Sequence, residues 1–269
     1  MTRAPPIPRV IHQTWRDVRV PDYLAPLQRS WRRHHPGWEY RLWTDADNRR
    51  LISEHYPRFL ETYDGYPLAI QRADAARYFI LDRHGGLYVD LDFESLRPVE
   101  EALGAHGCVL GTEPDRHAAM HRRPKVVANA LMASVRGHPL WSEVHRALVE
   151  RRHARNERGE ACVLNSTGPL MLTDVVADRP VGDVFIHPPN VFYPLLDATN
   201  LGFFGGWNAE GAARRDAYLA EAAAGRWPAD SVAVHHWSGT WWHLRDEKKA
   251  IIEALTHARR DPAHPASDA

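Results

Sequence analysis

Two aspartates, Asp90 and Asp92, stand two residues apart at the end of the apolar run Leu87-Tyr88-Val89. On an extended chain, side chains two apart share a face, so both carboxylates can point the same way. Converging carboxylates make a hard oxygen site for Mg²⁺ or Mn²⁺ that stays open to diphosphate oxygens. A cation there would neutralise the charge that develops on a departing nucleotide. The tip of a strand is also where open α/β sheets take ligands. As a strand-end residue of an open site, Asp92 is expected to be replaceable by asparagine without loss of the fold. Two other chemistries share the pattern. A phosphohydrolase would use Asp90 as nucleophile and Asp92 as acid, but Glu94 stands where such enzymes carry threonine or valine. A chitinase-like Asp-x-Asp-x-Glu would make Glu94 the acid at a barrel strand end. The modest chain length and the helix expected before the motif argue against an eight-stranded barrel.

Further residues are candidates by type. Asp74 and Arg77 are three apart on a helical stretch and so share a face. From the spacing alone they read as a surface ion pair, worth about 0–1 kcal/mol. A second Asp-x-Asp, Asp45-Ala46-Asp47, enters a polar stretch where capping of a helix by Asp45 or Asp47 is the expected job. Val234-His235-His236-Trp237-Ser238-Gly239-Thr240-Trp241-Trp242 is dense in histidine and tryptophan, as a site loop would be. Adjacent histidines on a strand face opposite ways, so at most one of His235 and His236 can join a given metal.

The elements that must position these residues follow from periodicity and punctuation. Arg9 to Trp15 and Trp38 to Trp43 read as strands, and Pro21 to His35 as the helix between them, stopped by Pro36-Gly37. A helix follows near Arg49 to His55. Leu68 to His84 reads as a long helix carrying Ala69, Ala73, Ala76 and Ile80 at helical spacing and ended by Gly85-Gly86. Further strands are expected at Leu87 to Val89, Cys108 to Thr112, Val126 to Ala133, Val184 to His187 and Val232 to His236. Helices are expected at Pro139 to Arg152, Gly168 to Ala177, Ala209 to Ala223 and Arg245 to Arg259. Alternating strands and helices predict an α/β fold with a mostly parallel sheet. No linker or repeat divides the chain, so we expect one domain over residues 1–258 and a loose tail from 259 to 269.

Composition narrows the function classes. The 269 residues carry 34 Lys+Arg and 34 Asp+Glu, so no net field draws the chain to nucleic acid or anionic lipid. Two cysteines, Cys108 and Cys162, form neither a CxxC pair nor a disulfide framework, which fits a reducing compartment. The proline-rich start lacks a signal peptide's apolar centre, and no run approaches the roughly 18 apolar residues of a membrane span. The expectation is a cytoplasmic protein without a transmembrane segment or nucleic-acid partner. Positive charge is nearly all arginine, the mark of a GC-rich genome, and the expected source is bacterial. Ten tryptophans could stack on sugars or bases, though core packing accounts for most of them.

Taken together, the blocks resemble glycosyltransferase family 32, which includes yeast initiating mannosyltransferases and bacterial capsule enzymes and is related to the catalytic core of large clostridial glucosylating toxins. The matching runs are Ile7 to Trp15, Arg72 to Tyr78 continuing through Gly85-Gly86-Leu87-Tyr88-Val89-Asp90-Leu91-Asp92, and His235 to Trp241. Weaker matches are Asn129 to Ala133, Thr167-Gly168-Pro169 and Phe192-Tyr193-Pro194. The resemblance implies a GT-A fold, Rossmann-like, with helices on both faces of the sheet. It implies transfer of a hexose, with retention, from a UDP- or GDP-sugar to a glycan, small-molecule or protein acceptor, with Mn²⁺ or Mg²⁺. It places Thr14 and Trp15 at the nucleobase, Asp74 and Arg77 at the donor sugar and ribose, and Trp241 at the β-phosphate. Asp90 would meet ribose and metal-bound water, Asp92 the metal itself, and His236 would be the third metal ligand, where the toxins carry a carboxylate. Retention without a protein nucleophile implies a front-face, oxocarbenium-like state stabilised by positioning and electrostatics. On that reading Asp74 and Arg77 serve activity alone, and their loss should leave the melting temperature nearly unchanged. A phosphohydrolase and a non-catalytic sugar-binding relative are the alternatives.

Overall fold

The computed structural model describes residues 6–178, 181–239 and 245–257. In chain order, β1 (Val10–Thr14), α1 (Ala25–His34), β2 (Glu39–Trp43), α2 (Asp45–His55) and the short α3 (Leu60–Asp64) lead into α4 (Ala69–His84). Then come β3 (Gly86–Val89), β4 (Phe93–Ser95), α5 (Glu100–Leu103), β5 (Cys108–Thr112), α6 (Asp115–Met120) and β6 (Val127–Ser134). The rest is α7 (Pro139–Glu150), α8 (Val163–Ser166), α9 (Pro169–Asp178), β7 (Val184–His187), α10 (Pro189–Phe192), α11 (Ala209–Ala223), β8 (Ala233–His235) and α12 (Arg245–His257). The tail expected from residue 259 lies outside the described residues.

Six strands form one sheet in the order β2-β1-β3-β6-β5-β7. β2, β1 and β3 run parallel, as do β5 and β7, while β6 is antiparallel to both neighbours. The sheet is therefore mostly parallel, as its sequence predicts, with one reversal. That reversal is invisible in sequence because β6 is buried along its whole length, and a strand buried on both faces shows no alternation from which its direction could be read. Alternate side chains of the strands feed two cores. Leu87, Val89, Val109, Leu131 and Ala133 pack with Trp31 of α1, Leu103 of α5 and Phe192 of α10. Tyr88, Cys108, Leu110 and Met132 pack on the other face with Ile52 of α2, Phe79 of α4, Trp141 of α7 and Met171 of α9.

α4 is the central helix of the second core. From Asp74 to Leu81 every residue is buried, so the helix carries no solvent face in that stretch and its apolar stripe understates its burial. It ends at Gly85 and Gly86, whose φ angles of 65° and 95° favour glycine. A Cβ on Gly86 would lie 2.6 Å from the Val10 carbonyl oxygen, so the glycine lets β3 approach β1. The second Asp-x-Asp, Asp45-Ala46-Asp47, is also placed here. Thr44, rather than either aspartate, is the N-cap of α2, and Asp47 is its capping-box partner at the third helical position. β4 escapes sequence reading because it has three residues. It pairs with β8 through Phe93↔His235, Glu94↔Val234 and Ser95↔Ala233, and so carries the late histidines to the Asp-x-Asp turn.

Candidate active site

β3 ends at Val89, and Asp90 follows with its backbone N–H donating to the Ala130 carbonyl of β6 at 2.8 Å. The Asp90 carboxylate is held from two sides. The Tyr88 hydroxyl donates to Oδ1 at 2.7 Å and receives a hydrogen bond from Thr14 Oγ1 at 2.8 Å. Arg77 approaches Oδ2 at 3.4 Å. A chain of amides and a phenol fixes the main chain: Gln28 donates to Tyr40, Tyr40 to Gln13 Oε1, and Gln13 Nε2 to the Asp90 carbonyl at 3.3 Å. Burial raises the Asp90 carboxyl above the ordinary range, with Arg77 acting against it and the Asp92 charge adding to it.

Asp92 differs from the open tip residue that its sequence predicts. It is 8% exposed and organises the turn after β8. Its Oδ2 accepts from the Ser238 N–H at 2.8 Å and the Ser238 hydroxyl at 2.7 Å. Its Oδ1 lies 3.2 Å from His235 Nε2, and its carbonyl accepts from the His236 N–H. Burial works to raise the Asp92 carboxyl, but His235 and the Ser238 donors outweigh it and hold the group well below the usual carboxylate range. One potential ligand atom each from Asp90, Asp92 and His235 lies within 4.8 Å of the others. Two oxygens and an imidazole nitrogen form a donor set that suits a divalent cation of intermediate hardness. His235 stacks on Phe93 with centroids 4.5 Å apart and an interplanar angle of 7°, and its Nδ1 is buried without a hydrogen-bond partner.

The two histidines do face opposite ways, and the structure assigns them. His235 joins the carboxylate pair, whereas His236 Nε2 lies 3.1 Å from Glu94 Oε2. Glu94 is thereby drawn toward His236, and the α/β sheet excludes the barrel that a chitinase-like reading needs. The selection of His235 needs the β4–β8 register, which no local pattern announces.

Asp74 and Arg77 are not a surface pair. Their side chains are 8% and 4% exposed and meet at 2.7 Å. Thr167 donates to Asp74 at 3.2 Å, and Asn129 Nδ2 lies at 3.5 Å. Arg77 also donates to the Asn129 carbonyl at 2.9 Å, and its guanidinium carbon lies 4.9 Å from the Tyr88 ring centre. Burial lifts the Asp74 carboxyl to about 6, against the pull of Arg77. The pair is thus a buried link between α4 and the Asp90 turn. Asn129 and Thr167 are the residues around it that chemistry-first reading passed over; only their weak family blocks marked them.

Thr14 and Trp15, at the end of β1, are half-buried. Thr14 touches the Asp90 network through Tyr88, while Trp15 packs on the small cluster of Leu24, Leu27, Leu91 and Ile252. The indole N–H of Trp15 is buried without a partner. Trp241 lies outside the described residues.

Comparison with known proteins places this geometry. Residues 21–110 match the glycosyltransferase sugar-binding region containing the DXD motif, so the resemblance to family 32 is borne out. The chain is 39% identical over 168 residues to inositol phosphoceramide mannosyltransferase 3 of Schizosaccharomyces pombe, covering 62% of this chain and 44% of that one. It is 28% identical over 202 residues to the initiation-specific alpha-1,6-mannosyltransferase of Candida albicans, covering 64% and 52%. The chain spans about half the length of these curated relatives. Among solved structures it is similar to the PaToxG glycosyltransferase, with a TM-score of 0.48 and 15% identity over 94% of this chain and 87% of that one. These matches correct two expectations. The relatives are yeast enzymes, which overturns the expected bacterial source. A relative named for inositol phosphoceramide, a membrane lipid, likewise overturns the cytoplasmic location. Among the described residues no helix is long and apolar enough to cross a membrane.

Proposed function

We propose that this chain transfers a hexosyl group, with mannose the first candidate, from a nucleotide-diphosphate sugar in a reaction that depends on a divalent cation. The observation that carries the reading is the convergence of Asp90, Asp92 and His235 at the end of β3, within the region that matches DXD glycosyltransferases. The relatives' names motivate mannose and point to a lipid-linked inositol phosphate as one acceptor class.

Asp90, Asp92 and His235 would hold the cation. When bound, it supplies positive charge against the diphosphate as the sugar leaves. The protein's part is preorganisation. Tyr88 and Arg77 fix the Asp90 carboxylate, Ser238 and His235 fix that of Asp92, and the Gln13–Tyr40–Gln28 chain fixes the backbone between β1 and β3. Fixed dipoles at a charge-developing site need not reorganise during the reaction. Thr14 and Trp15 border the same end of the sheet, where the nucleobase would lie, and Arg77 and Asp74 back the donor-sugar side.

The test is a panel of GDP- and UDP-sugars incubated with purified protein in Mn²⁺, reading release of the nucleoside diphosphate. One donor should be turned over, with activity lost in EDTA and in Asp90→Asn. No turnover of any donor, combined with cleavage of simple phosphomonoesters, would replace this reading with the phosphohydrolase one.

A further inference from the structure

A polar cavity lies at the end of the sheet opposite the Asp90 turn. The first residues of β1 and β2 border a space of 340 Å³ lined by Arg9, Val10, His12, Glu39, Arg41 and His84. The four residues of β3 separate this end from Asp90, about 13 Å at roughly 3.3 Å per residue. It therefore lies outside the donor and cation site described above.

We propose that this cavity binds a phosphate-bearing anion. Parallel pairing sets His12 beside Arg41 and Val10 beside Glu39, so the wall is built by register rather than by a mobile loop. Arg41 lies over the Trp43 ring, 4.4 Å from its centre, and the indole in turn contacts His84 with centroids 5.3 Å apart. His12 lies 5.9 Å from His84, its own N–H committed to the Gly85 carbonyl. Stacking holds the guanidinium in place while leaving its N–H fork free, the arrangement that suits bidentate phosphate recognition. Among the described residues, neither Arg9 nor Arg41 has a carboxylate within ion-pair distance. Burial pushes the His84 imidazole down to about 4, and the nearby charges of Arg41, Arg83 and Arg136 add to that shift. A bound phosphate would reverse that pressure and let His84 protonate and donate. Glu39 is the one carboxylate in the wall, and it opposes the anion.

The probe is inorganic phosphate, titrated into metal-free full-length protein at low salt and followed by calorimetry and by the His84 imidazole NMR signals. Saturable binding of one phosphate is expected, with the His84 pKa rising on saturation. Arg9→Gln and Arg41→Gln should each weaken it by about tenfold or more, the loss of a charge-assisted hydrogen bond. Glu39→Gln should tighten it, and Asp92→Asn should leave it unchanged, which separates this site from the cation site. Binding of the protein to vesicles containing anionic phospholipid, lost in Arg41→Gln and competed by phosphate, would identify a lipid headgroup as the source. Its absence beside intact phosphate binding would identify a soluble phosphate ester. No saturable phosphate binding, or superimposable titrations for the parent, Arg9→Gln and Arg41→Gln, overturns the proposal.

Discussion

Removing Arg77 is the sharpest perturbation of the site. Arg77→Ala deletes the 2.7 Å contact to Asp74, the donor to the Asn129 carbonyl and the cation beside Asp90. Asp74 is then left buried with only Thr167 and Asn129 as donors. Breaking a buried ion pair from one side costs about 3–5 kcal/mol, because the remaining charge has lost its counterion. For a chain of this size, each kcal/mol shifts Tm by about 2–4 °C, so a drop of roughly 6–20 °C is expected at pH 7. This replaces the nearly unchanged melting temperature expected if the pair served the donor alone. The direction of the pH dependence is also fixed. The Asp74 carboxyl, already lifted by burial, rises further when Arg77 is absent, so its neutral form is favoured in the folded state. The penalty is therefore full above the raised folded pKa and fades as pH falls toward the unfolded value near 4. Calorimetric Tm for the parent and Arg77→Ala between about pH 4 and 8, roughly two units either side of the Asp74 value of about 6, should show the gap narrowing in acid. Donor turnover should fall at least about tenfold, the scale of one lost charged hydrogen bond. A Tm within about 2 °C of the parent at pH 7, the effect of roughly 1 kcal/mol or less, would refute the burial argument.

Other expectations test separate links. Mn²⁺ should raise Tm of the parent, by about 2.7 kcal/mol of stabilisation at a hundredfold excess over Kd, and EDTA should reverse it; scanning calorimetry of Asp90→Asn should show no Mn²⁺ response. His12, driven down to about 3 first by burial, must stay neutral to donate to Gly85 and accept from Trp43. Its contribution is thus complete above about pH 6.5 and declines as pH falls toward its folded value, by up to about 1.36 kcal/mol per unit; urea titrations from pH 7 to about 5 should be steeper for the parent than for His12→Gln. Thr44→Ala should cost about 0.5–2 kcal/mol by removing the α2 cap, with donor turnover unaltered.

What sequence could convey here depended on how local the cause was. Gly85-Gly86 after a helical run and before three apolar residues identifies a helix, a sharp turn and a strand tip, because positive φ and close approach to Val10 are local demands. The Asp90–Asp92 pair at that tip was legible for the same reason. The partners of the pair were not. His235 rather than His236 reaches Asp92 because β8 pairs with a three-residue strand in the register Phe93↔His235, and a shift by one residue would exchange the two rings. Asp74 and Arg77 were visible as a helical pair, but their energetic sign was not. An (i, i+3) pair looks alike on a surface helix and on one enclosed by β6, α2 and α7, and enclosure turns a contact of about 0–1 kcal/mol into a link whose breaking costs several. Period-two and period-three reasoning thus finds the groups that do chemistry. Which charges are desolvated, and which imidazole lies beside a carboxylate, depends on pairings between strands far apart in the chain, and there tertiary geometry decides.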